Sequence, residues 1–160
     1  MPEGAVREHL AQVIAELARR FGTPGFEPHV TLLGGLTRPE REMVARTQAV
    51  ARRLSPLPVL LTTPDGGGEY FRCVFVGVAE NEALLAAHAL AGQACGAVPA
   101  SPLRPHLSLL YGHLPPATKR TVLSELAGLP WDQFEVRQLQ LVRTEGAPSD
   151  WRTGATFTLG

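Results

Sequence analysis

The sequence predicts a mixed helix-and-strand protein built as two similar halves, and three observations carry that prediction. Segments of helical period alternate with short strand-like runs along the chain. The order helix, strand, helix, strand, strand occurs twice. An octapeptide also recurs: residues 28–35 read PHVTLLGG and residues 105–112 read PHLSLLYG, identical at five of eight positions.

Each element has its own local cause. From Ala5 to Arg20 the apolar residues Val6, Leu10, Val13, Ile14 and Leu17 recur at helical spacing, with Glu8, Glu16, Arg19 and Arg20 opposite. Gly22, Pro24 and Gly25 end that helix, and His29 to Leu33 reads as a short strand. Thr37-Arg38-Pro39-Glu40 spells a capping box with proline in the first turn, opening a second helix that reaches Leu54. Leu57–Thr63 and Glu69–Ala79 are rich in Val, Leu, Tyr and Phe, and they form a hairpin about Asp65-Gly66-Gly67-Gly68. Those glycines are a turn rather than a phosphate loop, because no Gly-Lys-Ser/Thr follows and no helix opens there. Asn81 caps a third helix through Ala94. A Gly/Pro-rich loop then leads to a strand from His106 to Tyr111. Pro115 and Pro116 begin a fourth helix through Leu126, and strands at Phe134–Thr144 and Thr153–Leu159 close the chain.

Composition excludes several classes of protein. With 160 residues, 44% hydrophobic and 19% charged, the chain can bury a core and is neither disordered nor fibrous. Fifteen basic residues balance fifteen acidic ones, so no overall cationic field draws long nucleic acid. The longest apolar stretch, Ala83 to Val98, is broken by His88 and Gln93 and falls short of a membrane span. MPEGAVREHL lacks the basic end and unbroken apolar core of a secretory signal, so a soluble, cytoplasmic chain is expected. Cys73 and Cys95 read as reduced, packed thiols without metal spacing.

The recurring octapeptide carries the chemistry. On a strand alternate residues share a face, so His29 projects with Thr31, and His106 with Ser108, while Val30, Leu32, Leu107 and Leu109 turn inward. A single strand histidine is more often packed or at the surface than catalytic. Chance recurrence of Pro-His-apolar-hydroxyl-Leu-Leu, 77 residues apart, is much less plausible. If the halves pack with pseudo-twofold symmetry, two imidazoles and two hydroxyls converge on one cleft. Near neutrality one imidazole can accept a proton while the other donates one. That pairing suits in-line attack on a phosphodiester, with a base for water, an acid for the leaving oxygen, and donors to the phosphate. Zinc is a weaker reading, since neither motif has a second ligand at metal spacing. A serine nucleophile is weaker still, because Ser108 lacks the Gly-x-Ser-x-Gly elbow.

At these residues the chain resembles the two-histidine phosphoesterase superfamily, which is marked by one His-x-Thr/Ser-x motif per lobe. Within it, FEPHVTLLG at 26–34, YFRCVFV at 70–76 and PHLSLLYG at 105–112 are similar to cyclic phosphodiesterases, as are the C-terminal LVRTEG and Trp151. The resemblance implies a bilobal α+β fold over residues 1–160, with two antiparallel sheets lining a central cleft and helices outside. It also implies opening of cyclic phosphates, such as ADP-ribose 1″,2″-cyclic phosphate or nucleoside 2′,3′-cyclic phosphates, with no metal or other cofactor. His29 and His106 become the acid-base pair, His106 activating water and His29 protonating the leaving oxygen. Thr31 and Ser108 hold the phosphate, and Tyr111 and Phe71 line the substrate cleft. Members usually open with a strand of the kind Trp-x-Leu-Pro. This chain starts at Met1-Pro2, so the first strand is expected to be missing.

The other candidates are read as structural. His9 and His88 lie on helices without a motif, His113 and Arg104 read as loop residues, and Trp131 and Trp151 as packing under loops as readily as base stacking. The expected partner is a small cyclic phosphate bound by a monomer, with no membrane and no long nucleic acid. Two alternatives stay open: a phosphodiesterase of the 2′-5′ RNA ligase type acting on RNA ends, and a relative that binds a nucleotide without turnover.

Overall fold

The computed structural model describes residues 1–97, 103–131 and 133–160. Four helices and six strands follow the order α1 (Gly4–Phe21), α2 (Glu40–Ala51), β1 (Leu57–Asp65), β2 (Val74–Val78), α3 (Glu82–Cys95), β3 (His106–Leu110), α4 (Pro116–Leu126), β4 (Gln133–Val136), β5 (Gln138–Arg143) and β6 (Arg152–Thr158). The strands form a four-stranded sheet, β3-β2-β1-β4, and a two-stranded sheet, β5-β6, all antiparallel.

The helices form where period and capping dictate. Leu10, Ile14 and Leu17 of α1 share one face and are buried. Gly22 ends that helix in the left-handed conformation at φ 63°, which a residue without Cβ adopts at little cost. Asn81 caps α3 by accepting from the Leu84 amide at 2.9 Å, and Pro116 occupies the first turn of α4. The expected capping box at Thr37 is not made: α2 starts later, at Glu40, and no side chain caps it. Glu40 is instead ion-paired with Arg143 on β5, which draws its carboxylate away from the helix end.

The core lies between the four-stranded sheet and the helices. Val59 and Leu61 of β1, Val74, Val76 and Val78 of β2, and Leu107 and Leu109 of β3 are all buried there, against α1, α3 and α4. Burying whole Val and Leu side chains contributes about 1.5–3 kcal/mol each. The opposite face of β3 and β2 carries His106, Ser108 and Phe75. None of the described helices is long and apolar enough to cross a membrane.

Three strands expected from sequence come out differently. His29–Leu33 makes no strand beyond one antiparallel bridge, Val30 to Leu107. No described residue before α1 forms a strand. Glu69–Ala79 opens with a 3₁₀ turn at Tyr70–Arg72, and strand pairing begins at Val74. Phe134–Thr144 breaks at Arg137, where the chain leaves β1 and pairs instead with β6. Most of the Gly/Pro-rich loop before β3 lies at 98–102, outside the described residues.

Candidate active site

The bridge between Val30 and Leu107 brings the two octapeptides together. One residue to either side, the same antiparallel pairing sets His29 opposite Ser108 and Thr31 opposite His106, all on the face away from the core. The two histidines sit diagonally across the pair, a relation that spaces Cα atoms by about 7–8 Å. They are close enough for the charge of His106 to act on His29.

Both imidazoles are oriented alike. His29 Nδ1 lies 2.7 Å from the Glu27 carbonyl and His106 Nδ1 lies 2.8 Å from the Arg104 carbonyl, each two residues upstream. A carbonyl only accepts, so both Nδ1 atoms carry the proton and both Nε2 atoms are basic when the rings are neutral. Pro28 and Pro105, both buried, sit between each imidazole and its carbonyl and fix the turn of chain that makes this contact. The groups that accept from the rings are thus backbone carbonyls, which leave no trace in residue type.

Tyr111 reaches the site through an irregularity in β3. Val74 pairs with Leu110 and Phe75 with Ser108, so Leu109 is an extra residue. Strict alternation would put Tyr111 on the core face with Leu107. The added residue turns it to the other side. There its ring stacks on Phe26 at 3.8 Å, and its hydroxyl donates to His29 Nε2 at 3.3 Å. The ring is 3% exposed, and burial pushes its phenol up to about 12, partly offset by Ser108, so it stays a donor near neutral pH. Ser108 is 5% exposed and donates to the Phe71 carbonyl at 2.9 Å. Thr31, by contrast, is exposed.

Phe71 stands out as an apolar side chain that is 50% exposed. It lies 5.2 Å from Tyr111 and 5.8 Å from Trp151, ring centre to ring centre. Trp151 sits between β5 and β6, and its connection thereby carries the second sheet's contribution to this face. Base stacking and packing were equal readings of Trp151 from sequence; its contacts place it beside Phe71 and Tyr111. His113 approaches Tyr70 at 5.7 Å on the same side. Arg104 is exposed and takes part through its carbonyl. His88 has a partner that sequence did not reveal: its Nδ1 lies 2.7 Å from the Leu32 carbonyl, tying the end of the first motif to α3. His9 on α1 lies 6.4 Å, ring centre to ring centre, from Trp131 in the connection between α4 and β4.

Electrostatics favours neutral rings. Burial lowers the pKa of both histidines below the usual 6.5; the charge of His106 adds to the effect on His29, and Arg72 adds to it on His106. The backbone carbonyls oppose both shifts without reversing them. A lowered histidine pKa means that the unfolded chain binds more protons, so this part of the stability is present above pH 6.5 and is lost as the pH falls through the lowered values. Proton NMR should show both Cε1–H resonances titrating below pH 6.5; a midpoint above 7 for either would contradict this account of the site.

Two imidazoles and two hydroxyl residues on adjoining antiparallel segments, on an α+β frame with two antiparallel sheets, define the two-histidine phosphoesterase class. Comparison with known proteins agrees. The family model of the 2′-5′ RNA ligase superfamily matches residues 5–148, and the chain belongs to that family. Among solved structures it is similar in fold to LigT of E. coli, determined in complex with 3′-AMP. The TM-score is 0.54 at 18% identity, covering 95% of this chain and 92% of that one. No curated protein sequence matches it.

Proposed function

We propose that the protein opens a small cyclic phosphodiester, a nucleoside 2′,3′-cyclic phosphate or ADP-ribose 1″,2″-cyclic phosphate, to a phosphomonoester. The observation that carries this reading is the antiparallel bridge of Val30 to Leu107, which sets the two motifs side by side. In-line displacement at phosphorus needs a base on one side and an acid on the other. Two rings that share one tautomer and face one cleft supply both once one of them is protonated. In the assignment that the family resemblance implies, His106 takes the proton from water and His29 gives one to the departing sugar oxygen. Thr31 and Ser108 contact the phosphate oxygens, and Ser108 turns its hydroxyl from the Phe71 carbonyl to do so. Tyr111 holds the His29 ring through its hydroxyl, and Phe71 with Trp151 offers an aromatic surface for a base.

The working form has one ring charged and one neutral. Both pKa values lie below 6.5, so kcat/KM should follow a bell whose optimum falls on the acid side of that value. A second reading, action on RNA ends, draws support from the family's name and from the 3′-AMP bound by LigT. The balanced net charge favours the small substrate, because strand binding is driven by Lys and Arg.

Phosphorus NMR in excess chelator tests both readings. The expected result is conversion of the cyclic mononucleotide or ADP-ribose cyclic phosphate to a monoester, absent with His106→Ala. Conversion only of oligonucleotides ending in a cyclic phosphate would favour the RNA reading, and no conversion of any substrate would overturn both.

A further inference from the structure

A phosphodiester carries a negative charge, and the transition state of its hydrolysis carries more. The residues so far assigned to hold it are neutral: two hydroxyls, one of them already donating to the Phe71 carbonyl, and two imidazoles whose resting form is uncharged. Some cation is needed. Several charged side chains nearby are committed elsewhere. Lys119 donates to the Gly67 carbonyl, Arg152 donates to the carbonyls of Ser149 and Trp151, and Arg104 is exposed.

Arg72 is different. Its backbone is fixed at both ends: its amide donates to the Glu69 carbonyl at 3.1 Å, and its carbonyl accepts from Gly67 at 2.9 Å. The guanidinium lies 5.1 Å from the centre of the Phe75 ring, and that ring lies 5.4 Å from His106. Cation and second imidazole thus border the same aromatic ring. Its charge is felt there, lowering the His106 pKa. The only carboxylate near it among the described residues is that of Glu69, 3.9 Å away on a side chain that is 75% exposed, a loose pair worth little. The arginine side chain is itself only 28% exposed, and its Nε is buried with no acceptor. A guanidinium with one N–H unpartnered and only a loose carboxylate beside it keeps most of its charge uncompensated.

We propose that Arg72 is the anion-binding residue of this cleft, its guanidinium taking a non-bridging oxygen of the substrate phosphate on the His106 side. The planar fork suits two phosphate oxygens at once. Stacking on Phe75 holds it in plane at modest cost to its mobility. The placement also couples binding to proton transfer. An anion that engages Arg72 cancels the charge that disfavours protonation of His106, so that ring becomes easier to protonate as substrate arrives.

This inference rests on the proposed function, and the test separates the two. Binding of adenosine 2′-monophosphate and of adenosine is measured by calorimetry for wild type, Arg72→Gln and Arg72→Lys, alongside NMR titration of His106 without ligand. Arg72→Gln should weaken the monophosphate by about 10- to 100-fold, the range for a charge-assisted hydrogen bond. Adenosine binding should be unaltered, Arg72→Lys should recover part of the loss, and the His106 midpoint should rise in Arg72→Gln. Wild-type binding with Arg72→Gln within about twofold of it and an unmoved His106 titration would overturn this inference alone. A wild type that binds no monophosphate would overturn it together with the proposed function.

Discussion

Replacing His29 or His106 by alanine is expected to lower turnover of the cyclic phosphate by about 10²- to 10⁴-fold each, the usual worth of a positioned acid or base. The expectation follows from the arrangement of the rings. Each Nδ1 is fixed on a carbonyl two residues upstream, so each Nε2 is the reactive atom, and no other described side chain can take over at either position. Both rings are partly exposed, so the variants should melt near the wild-type temperature. The double variant should be scarcely slower than either single one, because acid and base act in the same step and their losses do not add. Initial rates with each variant, read beside thermal melts, check this. A His106→Ala protein keeping more than about a tenth of the activity would be incompatible with a general acid-base role.

Leu107→Ala should be the costliest single change to stability, about 3 to 4 kcal/mol by urea unfolding. Leu107 is 0% exposed and pairs with Val76 on one side and Val30 on the other. Truncation leaves a cavity in the core at the backbone bridge between the two motifs. Activity should fall as well, even below the unfolding transition, since a misplacement of about 1 Å between reacting groups can cost some 10²-fold. Val142→Ala, at a position 39% exposed on β5, should stay within about 0.5 kcal/mol of wild type. A loss below about 1 kcal/mol for Leu107→Ala would show that the bridge is not buried as described.

Much of this architecture was legible because local chemistry and tertiary structure agree. The spacing of Leu10, Ile14 and Leu17, the cap at Asn81, the proline at 116 and the glycines after Asp65 each act within a few residues, and each element formed where they place it. The unread parts depend on partners that a single sequence does not name. His29–Leu33 has strand-like residues, yet a strand needs a neighbour, and it finds only Leu107. Val136 and Gln138 belong to one strand-like segment, but the chain changes sheets between them. The aromatic run at Tyr70 and Phe71 has high strand propensity and nevertheless closes a 3₁₀ turn.

The same division holds at the candidate site. His29, Thr31, His106 and Ser108 were legible because the octapeptide recurs, and Tyr111 and Phe71 through the family they resemble. The carbonyls of Glu27 and Arg104 that set both tautomers have no residue signature. Arg72 looked like one more strand residue until its unpartnered Nε and its seat on Phe75 distinguished it. His88 lay on a helix with no motif, and its bond to the Leu32 carbonyl spans 56 residues.

The central claim is that the two motifs act on one phosphate. A crystal structure with a nucleoside 2′-monophosphate bound tests it most directly. The account predicts the phosphate between the two rings, with His29 Nε2 and His106 Nε2 each within about 3.2 Å of a different phosphate oxygen. A phosphate held by one imidazole only, or seated away from both, would contradict it.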